Sequence, residues 1–93
     1  MSHQTKREED ARPLRFSSSA QHFIATLHPP LKERIENGLL EIAAEPRVGK
    51  PLKGELKGNF SHRVGDWRIV YSIEKAFIFV KDIRHRREVY RRR

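Results

Sequence analysis

Residues 60–71 read Phe60-Ser61-His62-Arg63-Val64-Gly65-Asp66-Trp67-Arg68-Ile69-Val70-Tyr71. Trp67, Ile69, Tyr71 and, two residues on, Ile73 alternate with Arg68, Val70 and Ser72, the period of a half-buried strand. Gly65-Asp66 interrupts two such patterns, and glycine at the first central position suits a two-residue II′ hairpin turn. A two-residue turn fixes the register. Val64 must face Trp67, Arg63 must face Arg68, His62 must face Ile69 and Ser61 must face Val70. One face of the hairpin then carries Phe60, Val64, Trp67, Ile69, Tyr71 and Ile73, suited to packing on helices. The other face sets Arg63 directly opposite Arg68, although like charges in that position destabilise a sheet by a few tenths to about 1 kcal/mol.

Outward from the hairpin, Phe77-Ile78-Phe79-Val80 within residues 76–83 is apolar on both faces and predicts a central strand. Upstream, residues 47–58 hold Gly49, Pro51, Gly54 and Gly58 among Lys50, Lys53 and Lys57, which predicts a basic loop without regular structure. Leu31, Ile35, Leu39 and Ile42 recur at helical spacing from Pro30 until Pro46. Ala20, Phe23, Ile24 and Leu27 share another helical face, ended by Pro29 and Pro30 and begun by a capping box of Ser18 and Gln21. Leu14 and Phe16 alternate with Arg15 and Ser17 as a short first strand. The class is therefore α+β: an N-terminal strand, a two-helix hairpin and an antiparallel three-stranded meander. Residues 1–12 contain only Met1 and Ala11 as apolar residues and balanced charges, the composition of a flexible tail, which leaves residues 13–93 as the domain.

The charge is uneven. Residues 47–93 carry fourteen Lys and Arg against five acids, and residues 1–46 carry six against seven. Arginine-rich surfaces attract phosphate backbones through counterion release and forked hydrogen bonds, so nucleic acid is the partner this field implies. With 93 residues, 37% hydrophobic and 34% charged, the chain suits one modest domain. A mean hydropathy of −0.77 fits no apolar run near the roughly 18 residues of a membrane span. The absence of cysteine excludes disulfides, thiolate catalysis and Cys-ligated zinc. With no apolar signal segment, this predicts a cytoplasmic protein. His3, His22, His28, His62 and His85 show no metal-ligand spacing, so neither a metal nor another cofactor is expected. Each candidate also has a plainer reading: Arg63 and Arg68 as solvated edge charges, Tyr90 as a residue closing the core, His85 as an exposed histidine.

Three blocks recur in order: Pro51-Leu52-Lys53-Gly54-Glu55-Leu56-Lys57-Gly58, then Arg63-Val64-Gly65-Asp66-Trp67-Arg68-Ile69-Val70-Tyr71, then His85-Arg86-Arg87-Glu88-Val89-Tyr90. Together they resemble the RelE/ParE superfamily of toxins of type II toxin-antitoxin systems over roughly residues 13–90. The resemblance implies the RelE-like fold, and its C-terminal block is closer to the RelE-like mRNA interferases, which cut mRNA without a metal. It implies a translation inhibitor that meets mRNA on the ribosome, a cognate antitoxin protein, operator DNA reached through the antitoxin complex, and no membrane partner. The alternatives are a ParE-like DNA gyrase inhibitor without catalysis and a non-toxic nucleic-acid-binding domain.

Carried over residue by residue, the resemblance gives Arg68 as a phosphate-binding arginine and Arg84 with Tyr90 as the C-terminal arginine and tyrosine. His85 and Arg86 match a His-Arg pair, and Arg63, Lys53, Lys57, Arg86 and Arg87 are candidate RNA contacts. The chemistry implied is attack of the ribose 2′-OH on the adjacent phosphorus. Arginine cannot exchange a proton usefully at neutral pH but neutralises a phosphorane. Tyr90 is the candidate base and His85 the candidate acid, and the sequence leaves the two roles interchangeable.

Overall fold

The computed structural model describes residues 11–87. Strand β1 (Leu14–Phe16) leads into helix α1 (Ser18–Ala25) and helix α2 (Leu31–Ala44). After a 3-10 turn at Pro46–Val48 come β2 (Lys50–Pro51), a second 3-10 turn (Gly54–Leu56), β3 (Phe60–Val64), β4 (Trp67–Ile73) and β5 (Ile78–His85). The five strands form one mixed sheet in the order β1-β5-β4-β3-β2, with β1 parallel to β5 and the other pairs antiparallel. Among the described residues no helix is long and apolar enough to cross a membrane.

The α+β architecture expected from periodicity is present, with local differences. The α1 cap is Ser17 rather than Ser18: its hydroxyl accepts from the Ala20 N–H at 3.1 Å, and Gln21 donates instead to the Phe16 carbonyl at 3.1 Å. Helix α1 also stops at Ala25, ahead of the prolines. The basic loop is not structureless, because Lys50 and Pro51 pair with Ser61 and Phe60 and extend the meander by an edge strand. Proline at a sheet edge costs no ladder hydrogen bond on its outer side and discourages further pairing. Arg12, at the end of the expected tail, already hydrogen-bonds the Ala43 and Lys75 carbonyls.

Both helices cover one face of the sheet. Ile35, Leu39 and Ile42 from α2 and Ala20 from α1 are buried with Ile69, Tyr71, Ile78, Val80 and Ile83 from the strands. Each fully buried aliphatic side chain contributes on the order of 1.5–3 kcal/mol relative to exposure. Gly38 lets α2 approach the hairpin, since a Cβ there would stand 2.6 Å from Val64 Cγ2. Tyr71 is the one large core residue with a polar end. Its hydroxyl donates to the Pro46 carbonyl at 2.7 Å and accepts from the Gly49 N–H at 3.0 Å, pinning the 3-10 turn to the sheet. Burial raises the phenol above its ordinary value of 10.0, with the Gly49 N–H opposing that shift.

Candidate functional site

The hairpin has the register that its two-residue turn dictates: Val64 opposite Trp67, Arg63 opposite Arg68, His62 opposite Ile69 and Ser61 opposite Val70. Gly65 adopts φ +61° while Asp66 does not have positive φ, the signature of a II′ turn. Residues that alternate away from the helices face the open side. On that side Arg68 has Arg63 as one neighbour and Arg84 as the other. Adjacent strands lie about 4.8 Å apart, so three guanidinium stems leave the sheet within roughly 10 Å of one another.

A β-bulge brings Arg84 into this row. Tyr71 pairs with Val80 but Val70 pairs with Asp82, leaving Lys81 extra on β5. The extra residue inverts the phase of the strand. Before it, Ile78 and Val80 are buried against the helices; after it, Ile83 is the buried residue and Asp82 and Arg84 turn outward. Without the bulge Arg84 would point into the core. Asp82 then steadies it: one carboxylate oxygen accepts from the Arg84 Nε–H, and the other accepts from the Ile83 N–H at 3.0 Å. With Nε occupied, the two terminal nitrogens of Arg84 are the fork that remains for an anion. The Arg84 and Asp82 side chains are 30% and 31% exposed, so both remain accessible from the open face.

Arg68 and Arg84 of this row line a groove of about 570 Å³, whose lining does not include Arg63. Ser61, Val70, Arg68 and Arg84 line the sheet side with Lys81 and Asp82, and the segment after β2 supplies Leu52, Glu55, Leu56 and Asn59. Lys53 and Lys57 are exposed in the same segment but do not line the groove. His85 also lies apart. It pairs with Trp67 on the helix side of the sheet, its ring meets the indole edge-on at 5.0 Å, and Trp67 in turn packs 5.1 Å from Phe23 of α1. The Arg87 N–H donates to His85 Nδ1 at 3.2 Å, which leaves the proton of a neutral ring on Nε2. Arg86 ties the end of β5 to the hairpin, its N–H donating to the Asp66 carbonyl at 2.8 Å and its guanidinium lying 3.7 Å from the Asp66 carboxylate. Arg86 and Arg87 are exposed at this end of the sheet, beside Asp66 and His85 and away from the groove. Tyr90 lies outside the described residues.

Strand register thus sets Arg63, Arg68 and Arg84 side by side; of the sequence candidates Arg68 and Arg84 line the groove, His85 turns to the helix side, and Arg63, Arg86, Arg87, Lys53 and Lys57 are not part of its lining. Sequence reasoning missed Asp82, Lys81, Glu55 and Asn59. A signal was available for the first two: Lys81-Asp82 places consecutive polar residues inside an apolar strand, which breaks alternation as a bulge does. Among the described residues no three His, Cys, Asp or Glu side chains are grouped as a metal ion would require.

A small sheet with two helices on one face is a fold shared with known proteins. The sequence model described as the ParE toxin of type II toxin-antitoxin systems matches residues 14–90. Toxin RelG of Mycobacterium tuberculosis is 37% identical over 83 residues, covering 85% of this chain and 95% of that protein. The solved RelBE2 toxin-antitoxin complex of Mycobacterium tuberculosis contains a chain with TM-score 0.72 and 30% identity, covering 81% of this chain and 91% of that one. The intact RelBE complex of E. coli gives 0.68 at 23% identity, covering 78% and 94%, a likeness of fold. The chain belongs to the RelE/ParE superfamily of type II toxin-antitoxin toxins.

Proposed function

We propose that the protein is a metal-independent endoribonuclease that cuts mRNA on the ribosome and so inhibits translation. The observation that carries the reading is the row Arg63-Arg68-Arg84 on the uncovered face of the sheet, with Arg68 and Arg84 lining a groove. A sheet selected for stability alone has no use for three like charges in register. A phosphodiester does, because its transition state concentrates negative charge on the nonbridging oxygens.

In the proposed step the 2′-OH loses its proton to a base and its oxygen bonds to phosphorus. The bond from phosphorus to the 5′ oxygen breaks, leaving a 2′,3′-cyclic phosphate and a 5′-OH. Arg68 and Arg84 neutralise the phosphorane, and Arg63 holds a neighbouring phosphate. Because the His85 ring turns toward Trp67, away from the row, the base is assigned to Tyr90. The leaving oxygen takes its proton from water, since His85 faces the helix side of the sheet. Residues 13–93 form the working unit in this reading, within the cytoplasm. A cognate antitoxin restrains it, as the toxin-antitoxin complexes of the solved relatives support, and an acidic amphipathic segment suits the arginine face. Operator DNA is reached through that complex.

A gyrase-directed toxin is the second reading, favoured by the ParE description of the matching family and by the distance of His85 from the arginine row. Regulated expression with RNA 5′-end mapping tests both. The nuclease predicts cuts within translated codons; DNA damage with intact mRNA selects the gyrase toxin, and normal growth selects a non-toxic binding domain. Tyr90→Phe is expected to reduce cleavage by roughly 10² to 10⁴, the contribution of a positioned base, in the presence of EDTA.

A further inference from the structure

The groove beside the arginine row holds an acid where a polyanion must lie. Asp82 is accounted for by Arg84, but the Glu55 carboxylate has no partner among the described residues and still lines the groove. If the groove served phosphate alone, Glu55 would repel its ligand. Its neighbours are equally unsuited to phosphate. Leu52 and Val70 line the same space, and Leu56 is 52% exposed there, one of the few large apolar side chains that water reaches. Asn59 lines the groove too. Its Nδ2 donates to the Leu56 carbonyl at 3.1 Å, which fixes the amide orientation because a carbonyl can only accept. Asn59 Oδ1 has no hydrogen-bond partner among the described residues, and its burial closes it to the groove.

Apolar walls and a free carboxylate next to a phosphate site describe a pocket for a nucleobase with hydrogen-bond donors. Its volume of about 570 Å³ lies in the range of about 300–1,000 Å³ in which proteins hold small molecules. Base faces stack on apolar side chains without regard to sequence, so discrimination comes from the edge. Guanine, adenine and cytosine carry an exocyclic amino group that a carboxylate accepts; uracil carries none.

We infer that the groove is a nucleobase subsite selective for an amino-bearing base, read by Glu55 and stacked against Leu56. The inference rests on the nuclease reading, in which the adjoining arginines hold that nucleotide's phosphate.

Titration of the 93-residue chain with the 5′-monophosphates of guanosine, adenosine, cytidine and uridine, and with ribose 5-phosphate, tests it. The amino-bearing nucleotides are expected to bind about tenfold more tightly than the uridine nucleotide or ribose 5-phosphate, with amide shifts at Leu56 and Asn59. Glu55→Ala should close that gap while ribose 5-phosphate binds equally well or better, since a repelling charge is removed. Leu56→Ala, a change at an exposed position, should weaken every nucleotide and leave ribose 5-phosphate unaffected. Equal affinities for all five ligands, or a Glu55→Ala variant that tightens all of them alike, would overturn the subsite and leave the arginine row as a phosphate site. Tight uridine binding would overturn the amino selectivity. If no ligand bound at all, the phosphate site would fall with the subsite.

Discussion

On the helix side of the sheet, β4 and β5 bring Ile69, Tyr71, Ile78, Val80 and Ile83 together with almost no exposure. On the open side β3, β4 and β5 bring Arg63, Arg68 and Arg84 together in register. Backbone pairing is common to both faces, so what differs is what the side chains gain. The helix face gains stability from removal of apolar area and close packing. The open face loses a little, through repulsion between neighbouring cations, and keeps an electrostatic field that a phosphate backbone completes. Stability and function are therefore drawn from opposite sides of the same strands, and substitutions on the two sides should separate them.

Ile35→Ala, at a position of zero exposure, should cost about 2–5 kcal/mol in chemical denaturation, because it removes buried atoms and leaves a cavity. A loss below about 1 kcal/mol would mean the helix face is not the core. Tyr71→Phe comes next, at about 1–3 kcal/mol, since it strands the Pro46 carbonyl and the Gly49 N–H in the interior.

The same tyrosine should give a pH dependence. Burial holds Tyr71 protonated above its ordinary value of 10.0, whereas a tyrosine in the unfolded chain ionises near that value. The stabilisation is complete below about pH 10 and is lost as pH rises above it. Melting curves from pH 8 to 11 should show a steeper alkaline decline in wild type than in Tyr71→Phe. Parallel declines would remove Tyr71 from that balance.

The smallest effect sharpens the contrast most. Arg63→Ala should stabilise the fold by a few tenths to about 1 kcal/mol, by relieving the charge opposite Arg68, while weakening RNA binding. Its slope of log affinity against log salt should become less steep by about 0.7, the share of one phosphate contact on a single strand. A destabilised Arg63→Ala protein with an unchanged slope would make Arg63 a structural residue.

Much of this molecule is legible in its sequence because periodicity and turn chemistry act locally. The II′ turn at Gly65-Asp66 sets the hairpin register, and with it the pairing of Arg63 and Arg68, before any tertiary contact is known. The apolar run Ile78-Phe79-Val80 announces a strand that β1 and β4 flank. Features decided by tertiary pairing were not legible. Lys50-Pro51 has no strand character of its own and becomes β2 only because β3 offers it an edge. The bulge at Lys81 decides that Arg84 and not His85 joins the open face, although strand alternation alone already sets these two neighbours on opposite sides. The lining near Lys53 and Lys57 was not legible either: composition marks their segment as basic, but the turn at Gly54–Leu56 presents Glu55 and Leu56 to the groove.

On the proposed reading the open face works on phosphate, at a small cost in stability to the fold. Single-turnover cleavage of mRNA on programmed ribosomes in EDTA, measured beside the melting curve of the same Arg68→Ala preparation, tests it most directly. Loss of one preorganised donor to the developing charge should reduce the rate by about 10² to 10³, and melting should show no loss of stability, only a gain of up to about 1 kcal/mol as the pairings with Arg63 and Arg84 are relieved. Wild-type cleavage by a folded Arg68→Ala protein, or a rate loss that merely follows unfolding, would contradict the account.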